Sequence, residues 1–174
     1  QGTHPRGTIV RYFAEGAAGT FFDTRIALAN PGPSPAHVLF VFSGDGGAYV
    51  RHALTLPPLA HRSLLADAVA GLRGVSFSTR LESDTLIVAE RTMTWDASAY
   101  GAHSETAMVA PSRTWYFAEG TTSGEFSLFY LLQNPQAVPV TVTARYLRPA
   151  GLAPIVKTYV LPANSRTTVA VDAA

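Results

Sequence analysis

The sequence predicts an all-β protein made of immunoglobulin-like antiparallel β-sandwich modules in tandem, with about seven to eight strands per unit. Three observations support this fold class. Short runs rich in β-branched and aromatic residues are separated by turn residues at regular intervals. Several of these runs alternate polar with apolar side chains, as strands with one solvated face do. A long stretch of the chain also occurs twice, which is typical of repeat architectures.

The strands can be placed in chain order from their composition. In the first half of the chain, β-rich runs predict strands at 8–13, 38–42, 75–80 and 86–90. Glycine-rich and proline-rich segments at 44–47 and 30–33 predict turns, because glycine reaches positive φ and proline cannot continue a helix. Only the alanine-rich segment 64–72 could form a short helical turn. In the second half, strict alternation predicts strands at 141–146 and 167–171.

The repeat is seen most clearly in one short string. Tyr12-Phe13-Ala14-Glu15-Gly16 recurs as Tyr116-Phe117-Ala118-Glu119-Gly120, an offset of 104 residues. A gap-free alignment at this offset gives 14 identities in 51 positions, among them Asn30-Pro31 with Asn134-Pro135 and Arg62 with Arg166. Duplication explains identities that keep one spacing over such a length.

A second echo sets the phase of the repeats. Gly2-Thr3-His4 resembles Gly101-Ala102-His103, which lies shortly before the second copy of the string. We therefore predict that 1–10 is the tail of a preceding repeat or a linker strand, that 11–110 is a complete β-sandwich repeat, and that 111–174 is a second, incomplete one. The second repeat lacks the counterpart of 73–95, so we expect either that the natural protein continues beyond Ala174 or that something else supplies the missing half.

These strings also resemble a known group of proteins. The run Trp115 to Gly120, followed by Asn134-Pro135 and, in the first unit, by Glu90-Arg91 before His103, is similar to "WYFAEG" tandem repeats of large secreted or surface bacterial proteins. The resemblance implies an extracellular β-rich repeat and brings no catalytic residues with it. The signature residues are Tyr12, Phe13, Glu15, Gly16, Asn30, Pro31, Arg62, Glu90, Arg91, His103, Tyr116, Phe117, Glu119, Gly120, Asn134, Pro135 and Arg166.

Composition argues against several classes of function. With 13 basic and 12 acidic residues, the net charge of +1 gives no electrostatic reason to expect nucleic acid or an anionic membrane as a partner. The absence of Cys excludes disulfides and Cys-type zinc or redox sites. No apolar run is long enough to cross a bilayer. The five histidines lack metal-ligand spacing, so we expect no metal and no cofactor.

The recurring carboxylates allow two interpretations. Paired carboxylates that flank a sugar can hydrolyse glycosides. Recurrence of Glu15 as Glu119 in the second unit instead favours a structural carboxylate that binds backbone N–H groups or an arginine. No GxSxG string and no phosphate-binding glycine loop is present. We therefore predict that the protein is not an enzyme.

The aromatic residues suggest one kind of ligand. Trp95, Tyr100, Trp115 and Tyr116 come from neighbouring ends of a unit, and exposed planar rings can stack on sugars. The alternative is that Tyr116 packs inward while the two tryptophans lie buried at the junction between units.

The prediction for function is accordingly a structural or adhesive extracellular repeat of a bacterial surface protein or filament. Its expected partners are neighbouring repeats or identical subunits, through β-edge or end-to-end contacts and with strand exchange as one route of assembly. The alternative is a carbohydrate-binding module appended to a secreted enzyme, with polysaccharide as the partner.

Overall fold

The computed structural model describes residues 8–96, 98 and 100–173. Segment 1–7, with the Gly2-Thr3-His4 echo, lies outside the described residues. All regular structure in the described part consists of antiparallel strands and short 3-10 turns, which confirms the predicted all-β class. The strands are β1 Ile9–Phe13, β2 Ala17–Ala18, β3 Phe22–Asn30, β4 Ala36–Ser43, β5 Tyr49–Leu56, β6 Ala60–Leu65, β7 Val75–Ser76, β8 Ser78–Ser83, β9 Val88–Trp95, β10 Gly101–Thr106, β11 Phe129–Asn134, β12 Val140–Tyr146, β13 Ile155–Leu161 and β14 Ser165–Ala170.

The first unit is a sandwich of two four-stranded sheets, ordered β1-β8-β4-β5 and β10-β9-β3-β6. The inward positions of these strands form one apolar core, because alternate residues of a strand point to the same face. Its largest members include Phe13, Phe40, Phe42, Phe77 and Leu81, each at most 1% exposed. A pair of backbone hydrogen bonds of 3.0 Å between Tyr12 and Met108 joins the outer edges of the two sheets.

Two local predictions differ from the structure. The run 75–80 is not one strand, because the backbone N–H of Phe77 donates to the carbonyl of Gly16 (2.8 Å) and divides the run into β7 and β8. The short helical turn predicted within 64–72 is confirmed as the 3-10 turn Ala66–Ala68, which follows the end of β6 at Leu65. The first strand begins at Ile9, so Ile9 and Val10 lie in the first unit's sheet and not in a preceding tail.

The second unit reproduces four strands of the first. Strands β11, β12, β13 and β14 correspond to β3, β4, β5 and β6, and they pair as β11-β14 and β12-β13 in two two-stranded sheets. The registers agree: Asn30 faces Ala60 as Asn134 faces Ser165, and β4 faces β5 as β12 faces β13. Within the described residues, no strand corresponds to β1, β8, β9 or β10 in this unit.

The alignment of Arg62 with Arg166 was wrong. Leu56 pairs with Ala36 and Leu161 with Val140, so the offset is 105 residues at this point of the repeat. One extra residue lies in the loop between β12 and β13, which the gap-free alignment could not accommodate. Arg166 therefore occupies the position of His61, and the exposed Arg62 corresponds to Thr167.

Candidate functional site

A polar cluster lies at the edge of the first unit where β10 and the β1–β2 connection approach each other. Arg91 on β9 points inward and is 1% exposed. Its Nη1 donates to Oε2 of Glu15 at 3.0 Å, and its Nη2 lies 3.2 Å from Oε1 of Glu105. Glu15 thus acts as the ion-pair partner of a buried arginine. Glu90, next to it in sequence, lies on the opposite, exposed face of β9.

His103 belongs to the same cluster. Its Nε2 lies 2.6 Å from Nη2 of Arg91 and 2.9 Å from Oε2 of Glu15. A neutral ring with hydrogen on Nδ1 accepts from Arg91, whereas a ring with hydrogen on Nε2 donates to Glu15, so the two contacts compete for one nitrogen. Trp95 closes the cluster, with its ring 5.7 Å from that of His103. A Cβ at Gly101 would lie 2.0 Å from the Trp95 ring, so the tryptophan requires this glycine.

The Asn-Pro signature is a structural clamp, and it is repeated in both units. The Nδ2 of Asn30 donates to the carbonyls of Ser34 (2.8 Å) and Pro57 (3.0 Å). The Nδ2 of Asn134 donates to those of Val138 (2.9 Å) and Pro162 (2.8 Å). Both asparagines also accept from the backbone N–H two residues later, as in an Asx turn. Each clamp ties the turn after one strand to the end of the hairpin that follows.

The second unit touches the first through Arg166. This side chain is 7% exposed, and its Nη1 lies 3.5 Å from Oδ1 of Asp45 in the 3-10 turn Asp45–Gly47. Its backbone N–H donates to the carbonyl of Gly44 at 3.4 Å. Burial lowers the pKa of Arg166 below its usual value, and the charges of Asp45 and Glu15 offset only part of this effect. Opposite charges from the first unit therefore stabilise a nearly buried cation at the junction.

The interior of the second unit is open. Phe117, Tyr130, Tyr146 and Tyr159 occupy the positions of Phe13, Ile26, Phe42 and Leu54, which lie in or against the first unit's core. Phe117 and Tyr130 stack at 5.2 Å, and Tyr130 and Tyr146 at 6.0 Å.

Three of these rings are less covered than their counterparts: Tyr130 and Tyr146 are half-buried where Ile26 and Phe42 are buried, whereas Tyr159 and Leu54 are both half-buried. Phe117 is 64% exposed whereas Phe13 is 1% exposed. The hydroxyls of Tyr146 and Tyr159 lie 3.0 Å apart. Burial, followed by this hydrogen bond, raises the pKa of Tyr146, so its phenol stays neutral well above neutral pH.

Two strand edges border this open face. In the first unit, β3 and β4 are inner strands, each paired on both sides. Their counterparts β11 and β12 are each paired on one side only within the described residues. The free edges present unpaired backbone N–H and C=O groups, which is a template for a further strand. We call this arrangement, formed by the aromatic face and the edges of β11 and β12, the open half-sandwich.

The four aromatic residues proposed as a sugar-binding site differ in their exposure and in their contacts. Tyr100 and Tyr116 are 90% and 92% exposed, and Trp115 is 49% exposed, so neither Tyr116 nor Trp115 is buried as in the alternative prediction. Trp95 packs on Gly101 and His103 instead. No ring contact joins any two of the four in the described part of the chain.

No group of three or more His, Asp or Glu side chains within the described residues is arranged to hold a metal ion. Among the same residues, no helix has the length and apolar character needed to cross a membrane.

Comparison with known proteins shows similarity of fold and no family. No protein-family model matches the chain. No curated protein matches it either. The crystal structure of Thermotoga maritima 1070 is similar, with 15% identity and a TM-score of 0.55, over 61% of this chain and 97% of that one. The Anabaena sensory rhodopsin transducer has 20% identity and a TM-score of 0.42, over 48% of this chain and 85% of that one. At these identities the first similarity concerns the fold alone.

Proposed function

We propose that this protein is a non-catalytic structural repeat module of an extracellular bacterial surface protein or filament, which assembles by strand addition at its open half-sandwich. The observation that carries the proposal is the contrast between the two units. The second unit keeps the strand register and the asparagine clamp of the first, but its β11 and β12 edges are unpaired within the described residues. Strand edges of this kind can receive further strands by backbone hydrogen bonding.

The physical driving force is the exposed aromatic face. Burial of apolar surface stabilises a complex by about 25 cal/mol for each Å² removed from water. An added strand also satisfies edge backbone groups, and its side chains cover the rings of Phe117 and the tyrosines. The polar cluster around Arg91 has the opposite character, because its charges are already paired with each other. It supports a role in holding the first unit together.

The experiment is light scattering on the 18.5 kDa chain during size-exclusion chromatography at rising concentration. We expect species larger than one chain. Ala144→Asp places a carboxylate on the inner face of β12, where association would desolvate it, and should abolish these species. Ala53→Asp on the exposed face of β5 is the matched control and should leave them intact. A well-folded chain that stays monomeric at every concentration would contradict the proposal.

A carbohydrate-binding module is the second candidate, and it is favoured by one observation. Tyr100 and Tyr116 expose almost their whole rings to solvent, and an exposed ring can stack on the apolar face of a sugar. Binding of the purified chain to insoluble polysaccharide, and its loss in Trp115→Ala or Tyr116→Ala, would support this function. Equal binding by the variants would contradict it.

A further inference from the structure

We infer that the turn 44–47 of the first unit is a guanidinium-binding site, and that Arg166 occupies this site and fixes the angle between the two units. We call this turn the acidic turn. Its ligand is the guanidinium group of an arginine on the outer face of a neighbouring unit. The contact lies within one chain, so the site is independent of the association proposed above and of sugar binding.

Three contacts bring the acidic turn to the start of β14. Oδ1 of Asp45 lies 3.5 Å from Nη1 of Arg166. The carbonyl of Gly44 accepts from the backbone N–H of Arg166 at 3.4 Å. A Cβ at Gly47 would lie only 3.2 Å from the carbonyl oxygen of Ala163, in the turn before β14. The acidic turn therefore meets both the main chain and the arginine side chain of the second unit.

The glycines of the acidic turn allow this close approach. Gly46 and Gly47 have φ angles of 75° and 87°, a conformation that residues with a Cβ seldom adopt. Without side chains, they also leave the space beside the Asp45 carboxylate open to the second unit. The composition of the turn thus suits the reception of another segment of the chain.

The guanidinium group of Arg166 is buried enough to need a negative partner. The side chain is 7% exposed, and burial of an unpaired charge is strongly unfavourable. Asp45 supplies a negative charge, and Glu15 supplies a second one that also raises the pKa of Arg166. Glu15 is already bound to Arg91 and His103, so Asp45 is the carboxylate that pairs with Arg166.

The chemistry of the site favours a guanidinium group over an ammonium group. A guanidinium group is planar, carries five N–H donors and is more weakly hydrated than the ammonium group of lysine. It therefore loses less on transfer from water to a nearly buried junction. Its flat shape also fits between a turn and the face of a sheet.

The two partners occupy positions at which the units differ from each other. The counterpart of Arg166 in the first unit is the exposed His61. The loop of the second unit that corresponds to the acidic turn, 148–153, contains no acidic residue and begins with Arg148. A residue that every unit needs for its fold recurs in both units, as the clamp asparagines do. Acid and arginine do not recur, which is expected of a contact between two particular units.

Distance measurements on the full chain test the site. The chain has no Cys, so spin labels can be attached specifically at Ala53→Cys in the first unit and at Thr158→Cys in the second, both exposed positions. Double electron–electron resonance then gives the distribution of distances between the units. Dilution with unlabelled chain suppresses distances between different chains. We expect one narrow distribution.

Removal of either partner should release the second unit. Arg166→Ala and Asp45→Asn should each replace the narrow distribution with a broad one. The double variant should broaden it no further, because the same contact is lost in all three chains. Asp67→Asn is the matched control, since Asp67 lies in another 3-10 turn of the first unit and pairs with Arg73 of that unit. It should keep the narrow distribution, and circular dichroism checks the folding of each variant.

Chemical rescue identifies the class of ligand. Ethylguanidinium added to the Arg166→Ala chain should restore the narrow distribution, because it can enter the space left by the side chain and pair with Asp45. Ethylammonium at the same concentration and ionic strength should not, since its compact charge is more strongly hydrated. The Asp45→Asn chain should respond to neither ion.

Contrary results would separate the two parts of the inference. A distribution that is broad without any change at the junction, that stays narrow in both Arg166→Ala and Asp45→Asn, or that broadens equally in Asp67→Asn would overturn the role of the contact in fixing the angle. Equal effects of the two ions on Arg166→Ala would overturn the guanidinium site. The oligomeric state does not enter these measurements, so either failure leaves the proposed function standing.

Discussion

At the scale of single residues, the glycine that ends the repeated Tyr-Phe-Ala-Glu-Gly string has different surroundings in the two units. Gly16 is buried, and a Cβ there would lie 2.3 Å from the ring of Phe77, which is itself 0% exposed. Gly120 is its counterpart, and a Cβ there would meet the end of the Leu128 side chain at 2.7 Å. A buried aromatic ring cannot move aside, whereas a leucine terminus can change rotamer.

We therefore predict that Gly16→Ala destabilises the first unit by about 1–3 kcal/mol, the usual effect of overpacking a core. Gly120→Ala should have a clearly smaller effect. Chemical denaturation of both variants, followed by tryptophan fluorescence, measures the free energies of unfolding. Equal losses at the two positions would show that Phe77 is not the residue responsible.

Individual residues also mark the limit of what the sequence reveals. Glu15, Arg91 and His103 were all identified as signature residues, but nothing in their spacing indicated that the three meet. They meet because β9 and β10 are neighbours, with Met93 opposite His103, and because the turn after β1 folds over that edge. Glu105 was missed as a member of the cluster. Its alternation with His103 along β10 was the signal that could have identified it.

At the scale of strands, composition and alternation were better guides than sequence alignment. Strands β1 and β4, predicted from β-rich composition, and strands β12 and β14, predicted from alternation, lie within two residues of their predicted bounds. The alignment of Arg62 with Arg166 failed because a loop tip tolerates an inserted residue that the strands do not. The alignment matched Arg62 with Arg166 because the two residues are identical. The strand register, which assigns Arg166 to the position of His61, is known only once the strands are paired.

The asparagine clamps allow a prediction for the elements that they join. Asn30→Asp replaces an amide that donates to carbonyls with a carboxylate that repels them, in a side chain that is 2% exposed. Loss of these buried hydrogen bonds should destabilise the first unit by about 2–4 kcal/mol. Asn134→Asp should likewise loosen the β12–β13 hairpin.

Hydrogen exchange, read strand by strand, tests this prediction. Protection should fall in β5 for the first variant and in β13 for the second. His61→Ala at an exposed position of β6 is the control. Unchanged protection in both hairpins would mean that the clamps do not hold their ends.

At the scale of the whole molecule, the two units should differ in how they unfold. The first unit has an enclosed core, and the Tyr12–Met108 hydrogen bonds join its two sheets on the side of β1 and β10, so its stability is a property of one chain. The aromatic face of the second unit is only partly covered, since Phe117 is 64% exposed and its tyrosines are half-buried. If another copy covers this face, the stability of the second unit depends on chain concentration by mass action.

Calorimetry should therefore show two transitions, and only the lower one should depend on concentration. Raising the chain concentration about a hundred-fold adds about 2.7 kcal/mol to the stability of the associated state and moves the lower Tm upward by several degrees. The upper Tm, that of the first unit, should stay fixed. A lower Tm that does not change with concentration would mean that the open half-sandwich is stable without a partner. Association would then not explain its exposed rings.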